Sequence, residues 1–167
     1  MQQRMNNPVM IFPEALQAVY AFNACADKGG VPAKTLGLVH LRVSQINGCS
    51  VCVDMHEAVF KKAHETSQRL LTVAAWRDAP YFTDAERAAL ALAEAVTRLS
   101  DRPDPVPDEI WNEAARHFDE RALSSLLIAI ASVNVWNRLN VATRQIAGEW
   151  MKSSEARAVV ETAAAAR

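Results

Sequence analysis

Residues 123–136, LSSLLIAIASVNVW, are apolar on nearly every face a helix could present. A helix of that kind sits at the centre of a fold or is buried by another subunit. The rest of the chain must therefore be arranged around it. Half of the 167 residues are hydrophobic, but only 7% are aromatic and only 5 are glycine. Alanine and leucine dominate, which favours helices over a sheet. The expectation is an all-α, single-domain helical bundle of about six to eight helices.

The local signals divide the chain into helices. Residues 1–12 read as an irregular N-terminal arm. Pro13 opens a helix that Lys28-Gly29-Gly30 ends. After Pro32, Leu36, Val39, Val43 and Ile46 recur at helical spacing, and Asn47-Gly48 stops the run. A third helix starts at Cys49 or Ser50 and runs to about His64. Thr66 caps a fourth, reaching about Ala75. Thr83 and Glu86 form a capping box before an alanine-rich helix. Three prolines between Pro103 and Pro107 make a connector. A short amphipathic helix follows over 108–118, then the long apolar one, from Asp119 to about Ala147. The expected domain spans 13–150, with a helix-forming tail over 151–167. RALSSLLIAIASVN also overlays KTLGLVHLRVSQIN without a gap, which places Trp136, Leu139 and Thr143 where Cys49, Cys52 and His56 lie.

The chemistry is concentrated in QINGCSVCVDMH, where Cys49, Cys52 and His56 stand in a CxxCxxxH pattern. On a helix these positions share one face. Cys49 falls in the first turn, where unpaired backbone N–H groups and the helix dipole stabilise a thiolate. His56 is one turn past Cys52 and within reach of its sulfur, so it could hold or return a proton. A thiolate attacks peroxides and disulfides, and the second thiol then closes a disulfide. A zinc site would need a fourth ligand, and there is no second CxxC. Haem attachment needs histidine directly after the second cysteine, where Val53 stands. No metal and no bound cofactor are therefore expected.

Other candidates read as packing. Cys25 lies among Ala21, Phe22 and Ala24, the setting of a core cysteine. His64 and His117 lie near helix ends, where the dipole favours positive charge. His40, among Leu38, Val39 and Leu41, is either a partly buried histidine or a second proton carrier. Arg42 in apolar surroundings implies a paired or interface charge. A net charge of −1 offers no footprint for nucleic acid or an anionic membrane. The start of the chain lacks the apolar core of a signal peptide, and no long apolar run reads as a membrane span. The expectation is a cytoplasmic protein.

LRVSQINGCSVCVDMH, followed by AAWRDAPYFTDAERAALALAEAVT and IAIASVNVWNRLNVA, resembles the AhpD-like branch of the carboxymuconolactone decarboxylase superfamily. The resemblance covers most of the chain beyond residue 30. It implies an all-helical fold, a homo-oligomer (trimer or hexamer), and alkylhydroperoxidase-like or thiol–disulfide oxidoreductase activity with an antioxidant role. The implied partners are a small hydroperoxide or disulfide substrate and an external thiol reductant. It assigns Cys52 as the attacking thiol, Cys49 as the resolving thiol and His56 to the proton relay. The dipole argument instead makes Cys49 the more acidic thiol, and the order stays open. The glutamate that relatives carry twelve residues before the first cysteine is Gly37 here, and the position directly before the second cysteine, a histidine in some relatives, is Val51. His40, one turn along from Gly37, or a water chain would have to substitute. The alternatives are a decarboxylase-type lyase and a non-enzymatic binding protein switched by its disulfide.

Overall fold

The computed structural model describes residues 2–62, 65–100, 102–149 and 152. All the regular structure among these residues is helical: α1 (Pro8–Ile11), α2 (Pro13–Ala26), α3 (Ala33–Ile46), α4 (Ser50–Lys62), α5 (Ser67–Thr72), a 3-10 turn (Val73–Ala75), α6 (Asp84–Thr97), α7 (Asp108–His117) and α8 (Glu120–Thr143). The 151–167 tail, apart from Lys152, lies outside the described residues, as does His64.

The apolar run is the axis of the fold. α8 packs against α2, α3 and α6, and α7 and α4 touch it as well. Leu123, Leu126, Ala129, Ile130 and Val133 meet Val39 and Val43 of α3 and Ala89, Leu92 and Ala93 of α6. Alanines on α6 let the backbones approach closely enough for these branched side chains to interlock. By length and composition α8 could cross a membrane, but more than half of its most apolar window is buried inside this chain. It is a core helix. Among the described residues, exposed large apolar side chains lie at Met10, Ile11 and Phe12 around α1, at Tyr20 and Phe22 on α2, at Leu71 on α5, and at Val135 and Val141 on α8 itself.

Several boundaries move for local reasons. Pro32 stands just outside α3 as its cap residue, and Thr66 accepts from the Arg69 N–H to start α5. Thr83 and Glu86 do form a capping box. α8 stops at Thr143 because Arg144 adopts a left-handed conformation, with φ 54°. Within the expected arm, residues 8–11 are helical, and Asn7 and Val9 are buried. Gly29 must be glycine: a Cβ there would collide with the Ser125 side chain and lie 2.9 Å from the Arg121 carbonyl. The two segments that overlay in sequence pack on one another, and the aligned Asn47 and Asn134 are hydrogen-bonded at 2.9 Å.

The charge on Arg42 is paired, as its apolar neighbours required. Its Nε lies 2.6 Å from Glu94 on α6, which also receives Arg77 at 2.8 Å, Arg98 at 3.3 Å and the Trp76 indole N–H at 3.0 Å. Burial alone would raise the Glu94 pKa, but the bonds from Arg77, Trp76 and Arg42 overcome it and hold the carboxyl at about 2. Arg77 and Arg98 can be rehydrated if the carboxylate is lost, whereas Arg42 cannot. Glu94→Gln should therefore cost about 3 kcal/mol, the lower end for breaking a buried ion pair. Urea unfolding measures this; a loss below about 0.5 kcal/mol, typical of a surface change, would show the cluster to be ornamental.

Candidate functional site

The CxxCxxxH motif occupies the corner between α3 and α4. Gly48, at φ 65°, turns the chain, and the Cys49 N–H donates to the Ser44 carbonyl at 3.0 Å. The Cys49 carbonyl then accepts from the Val53 N–H at 3.0 Å, which makes Cys49 the cap residue of α4. Its sulfur receives the first-turn N–H of Cys52.

Cys49 and Cys52 are free thiols with their sulfurs 2.8 Å apart, and both are buried. One S–H···S hydrogen bond joins them. When one thiol ionises, the other becomes its donor. The first proton is thus easy to remove and the second very hard. The thiolate settles on Cys49, whose pKa is lowered to about 6. The Cys52 thiol is the main cause, opposed by burial and aided by the Cys52 N–H, Asn140 and Asn137. Cys52 is pushed far above the ordinary thiol range, chiefly by its bond to Cys49, then by burial and the neighbouring charge.

An open groove of about 570 Å³, lined by Ser44, Gln45, Gly48, Cys49, Val53 and Asp54, reaches Cys49. A smaller depression of about 200 Å³ reaches it from the other side, past Asn140, Arg144 and Gln145. Cys52 lines neither. Trp136, at the position that overlays Cys49, packs against the cysteine pair and places its ring 5.9 Å from that of Tyr20.

The two candidate histidines come together. The ring of His40, on α3, lies 5.6 Å from that of His56, on α4, tilted by 45°. His56 is buried, and the His40 Nε2 is inaccessible and without a hydrogen-bond partner among the described residues. Burial lowers the His40 pKa to about 4; burial and the neighbouring His40 lower that of His56 to about 3. Both rings are neutral at physiological pH, the state that can receive a proton. Gly37 stands three residues before His40 on the same helix. Cys25, expected in the core, is exposed, because α2 turns that face outward. Among the described residues no group of three or more His, Cys, Asp or Glu side chains could hold a metal ion.

The sequence reading passed over three asparagines. Asn134, Asn137 and Asn140 recur every third residue on α8 and are all buried. Asn47 donates to Asn134 and Asn137, each at 2.9 Å, and Asn137 donates to Ser44 at 3.1 Å. Asn140 donates to the Cys52 sulfur at 3.3 Å and approaches that of Cys49 at 3.8 Å. Buried amides at helical spacing in an otherwise apolar run were the signal, since each must find partners.

Comparison with known proteins fixes the family. The carboxymuconolactone decarboxylase family model matches residues 13–95, from α2 into α6 and across the cysteine corner. The chain belongs to the carboxymuconolactone decarboxylase family. It is 33% identical over 132 residues to the uncharacterised protein YdfG of Bacillus subtilis, covering 79% of this chain and 88% of YdfG. Its fold matches a crystal structure from Agrobacterium tumefaciens, of a protein of unknown function suggested to serve AhpD-type antioxidant defence. The TM-score is 0.78 at 32% identity, with 87% of this chain and 98% of that one covered. The debrominase Bmp8 shares the fold, with a TM-score of 0.70 at 22% identity over 90% of this chain and 77% of its own.

The neutral histidine pair has a measurable consequence for this family member. In the unfolded chain a histidine takes up its proton near pH 6.5, whereas the folded values are about 4 and 3. The unfolded state therefore gains protons first as pH falls, and stability drops below pH 6.5. Glu94 acts in a lower window, between its unfolded value of 4.5 and about 2. Between pH 6.5 and about pH 4 each histidine should remove up to about 1.4 kcal/mol per pH unit. Denaturant midpoints should fall from neutral pH to about pH 5, and His56→Gln should flatten the slope. A pH-independent midpoint would mean that the rings titrate as they do in water.

Proposed function

We propose that this protein is a dithiol oxidoreductase that reduces hydroperoxides through Cys49 and Cys52. One observation carries the proposal: two free thiols in hydrogen-bond contact at a helix start, one of them acidified and lining an open groove. Membership of the family and the fold match to the Agrobacterium protein support it.

The thiolate attacks the terminal oxygen of ROOH. The O–O bond breaks, an S–O bond forms, and RO⁻ leaves to take a proton as ROH. The other thiol then attacks the sulfenic sulfur, forming the S–S bond and releasing water. Two thiols and one peroxide thus give a disulfide, an alcohol and water. An external dithiol restores the pair by exchange. The groove opens on Cys49, so Cys49 is the sulfur a peroxide meets first, although the family resemblance alone assigns attack to Cys52. The neutral His40–His56 pair relays the proton between the thiol and the leaving oxygen, with His40 filling the role left vacant at Gly37.

A lyase would have no use for an intact thiol pair, and a redox switch would oxidise once and stop. Turnover with an organic hydroperoxide and a dithiol in excess separates these. Cys49→Ser and Cys52→Ser should both abolish turnover, and His40→Gln should slow it by about 100-fold, the lower end for general acid–base catalysis. Trapping the sulfenic acid in each serine variant should label Cys49 in Cys52→Ser. Label only on Cys52 would reverse the order. Peroxide consumption that stops at one equivalent per protein would reduce the pair to a switch. Bmp8 has been crystallised with 2,3,4-tribromopyrrole, so a bromopyrrole is the comparison substrate.

A further inference from the structure

The amide of Asn140 has two ends, and the end that faces the sulfurs is fixed by the partner of the other. Its Oδ1 accepts from the Asn7 Nδ2 at 2.7 Å, leaving Nδ2 to point at Cys52 and Cys49. The orientation of Asn7 is itself fixed. Its Oδ1 caps α1 by accepting from the Val9 N–H at 3.1 Å, so only its NH₂ is left for Asn140. A backbone N–H at the start of α1 therefore orients one amide, which orients the next, which presents N–H to the thiol pair. Both asparagines are buried. The arm is held against the end of α8 by three further bonds: Arg4 N–H to the Thr143 carbonyl at 2.9 Å, Arg4 guanidinium to the Ala142 carbonyl at 3.1 Å, and Gln145 Nε2 to the Met5 carbonyl at 2.8 Å.

We propose that Asn140 is a catalytic residue of the dithiol centre, its NH₂ reaching both sulfurs, Cys52 at 3.3 Å and Cys49 at 3.8 Å, so that one N–H holds the Cys49 thiolate while the other meets Cys52, and that Asn7 is the positioning residue that keeps the amide turned that way. The inference rests on the redox reading of the pair. A neutral thiol has little need of an N–H donor, whereas a buried thiolate depends on one. The N-terminal arm thereby becomes part of the active site although it lies far from the CxxC motif in sequence and outside the residues matched by the family model.

The test needs no substrate. In a Cys25→Ser background, the ultraviolet absorbance of the thiolate is titrated against pH in the reduced full-length protein. Losing a hydrogen bond to an anion should raise the first thiol pKa of Asn140→Ala by about one to two units. Asn7→Asp is the decisive variant. Aspartate still caps α1, but it offers an acceptor where Asn140 needs a donor, so the Asn140 amide must flip and turn its oxygen to the sulfurs. The pKa should rise at least as far as in Asn140→Ala, in a protein whose arm and cap are intact. If the two folded variants titrate within about 0.3 units of the parent, a change well below that of one hydrogen bond, the asparagines only pack and the inference is overturned. Because the readout is thiolate formation, a protein that shows these shifts but no peroxide turnover keeps the anion-holding role and loses only the proposed reaction.

Discussion

The packing of α8 against α3 is the constraint on which everything else depends. One helix has to bury an apolar run and also keep three amides out of water. It does both by turning Leu126, Ala129, Ile130 and Val133 toward α3 and α6. Asn134, Asn137 and Asn140 meet the turn where α3 ends and α4 begins. Polar groups buried this way cost free energy unless they are paired. Their partners, Asn47, Ser44, Asn7 and the cysteine sulfurs, are the framework of the site. The same contact that stabilises the fold thus sets the surroundings of the thiols.

Those surroundings divide the proton chemistry into two compartments. At the sulfurs, a shared hydrogen bond, a helix N-terminus and an amide donor all favour one negative charge and oppose a second. At the histidines, burial and mutual proximity oppose any positive charge. A pair of thiols that readily loses one proton and resists losing the second suits the first half of a peroxide reduction. Glu94 stands apart from both. Its arginines and Trp76 tie α6 to α3 and to the segment after the 3-10 turn, beneath the second apolar cluster of Leu38, Leu41, Phe82 and Leu90.

Much of this was legible in the sequence because the signals were local. The capping box at Thr83, the stop at Asn47-Gly48 and the CxxC spacing each depend on residues a few positions apart. The apolar run over 123–136 announced a central helix, and α8 packs against α2, α3 and α6. What was hidden depended on distant contacts. Nothing near Asn7 says that it reaches Asn140, and nothing near His40 says that its neighbour is His56. Cys25 was misjudged because its apolar neighbours on α2 belong to an exposed face. The end of α8 was placed too late because a left-handed arginine, not a glycine, terminates it.

The central claim is that Cys49 and Cys52 work as one dithiol, and mass spectrometry of the peptide that holds both tests it most directly. After one equivalent of hydroperoxide that peptide should lose two hydrogens, and a dithiol should restore them, while exposed Cys25 stays a thiol. Oxidation of Cys25 with Cys49 and Cys52 left as free thiols would contradict the account.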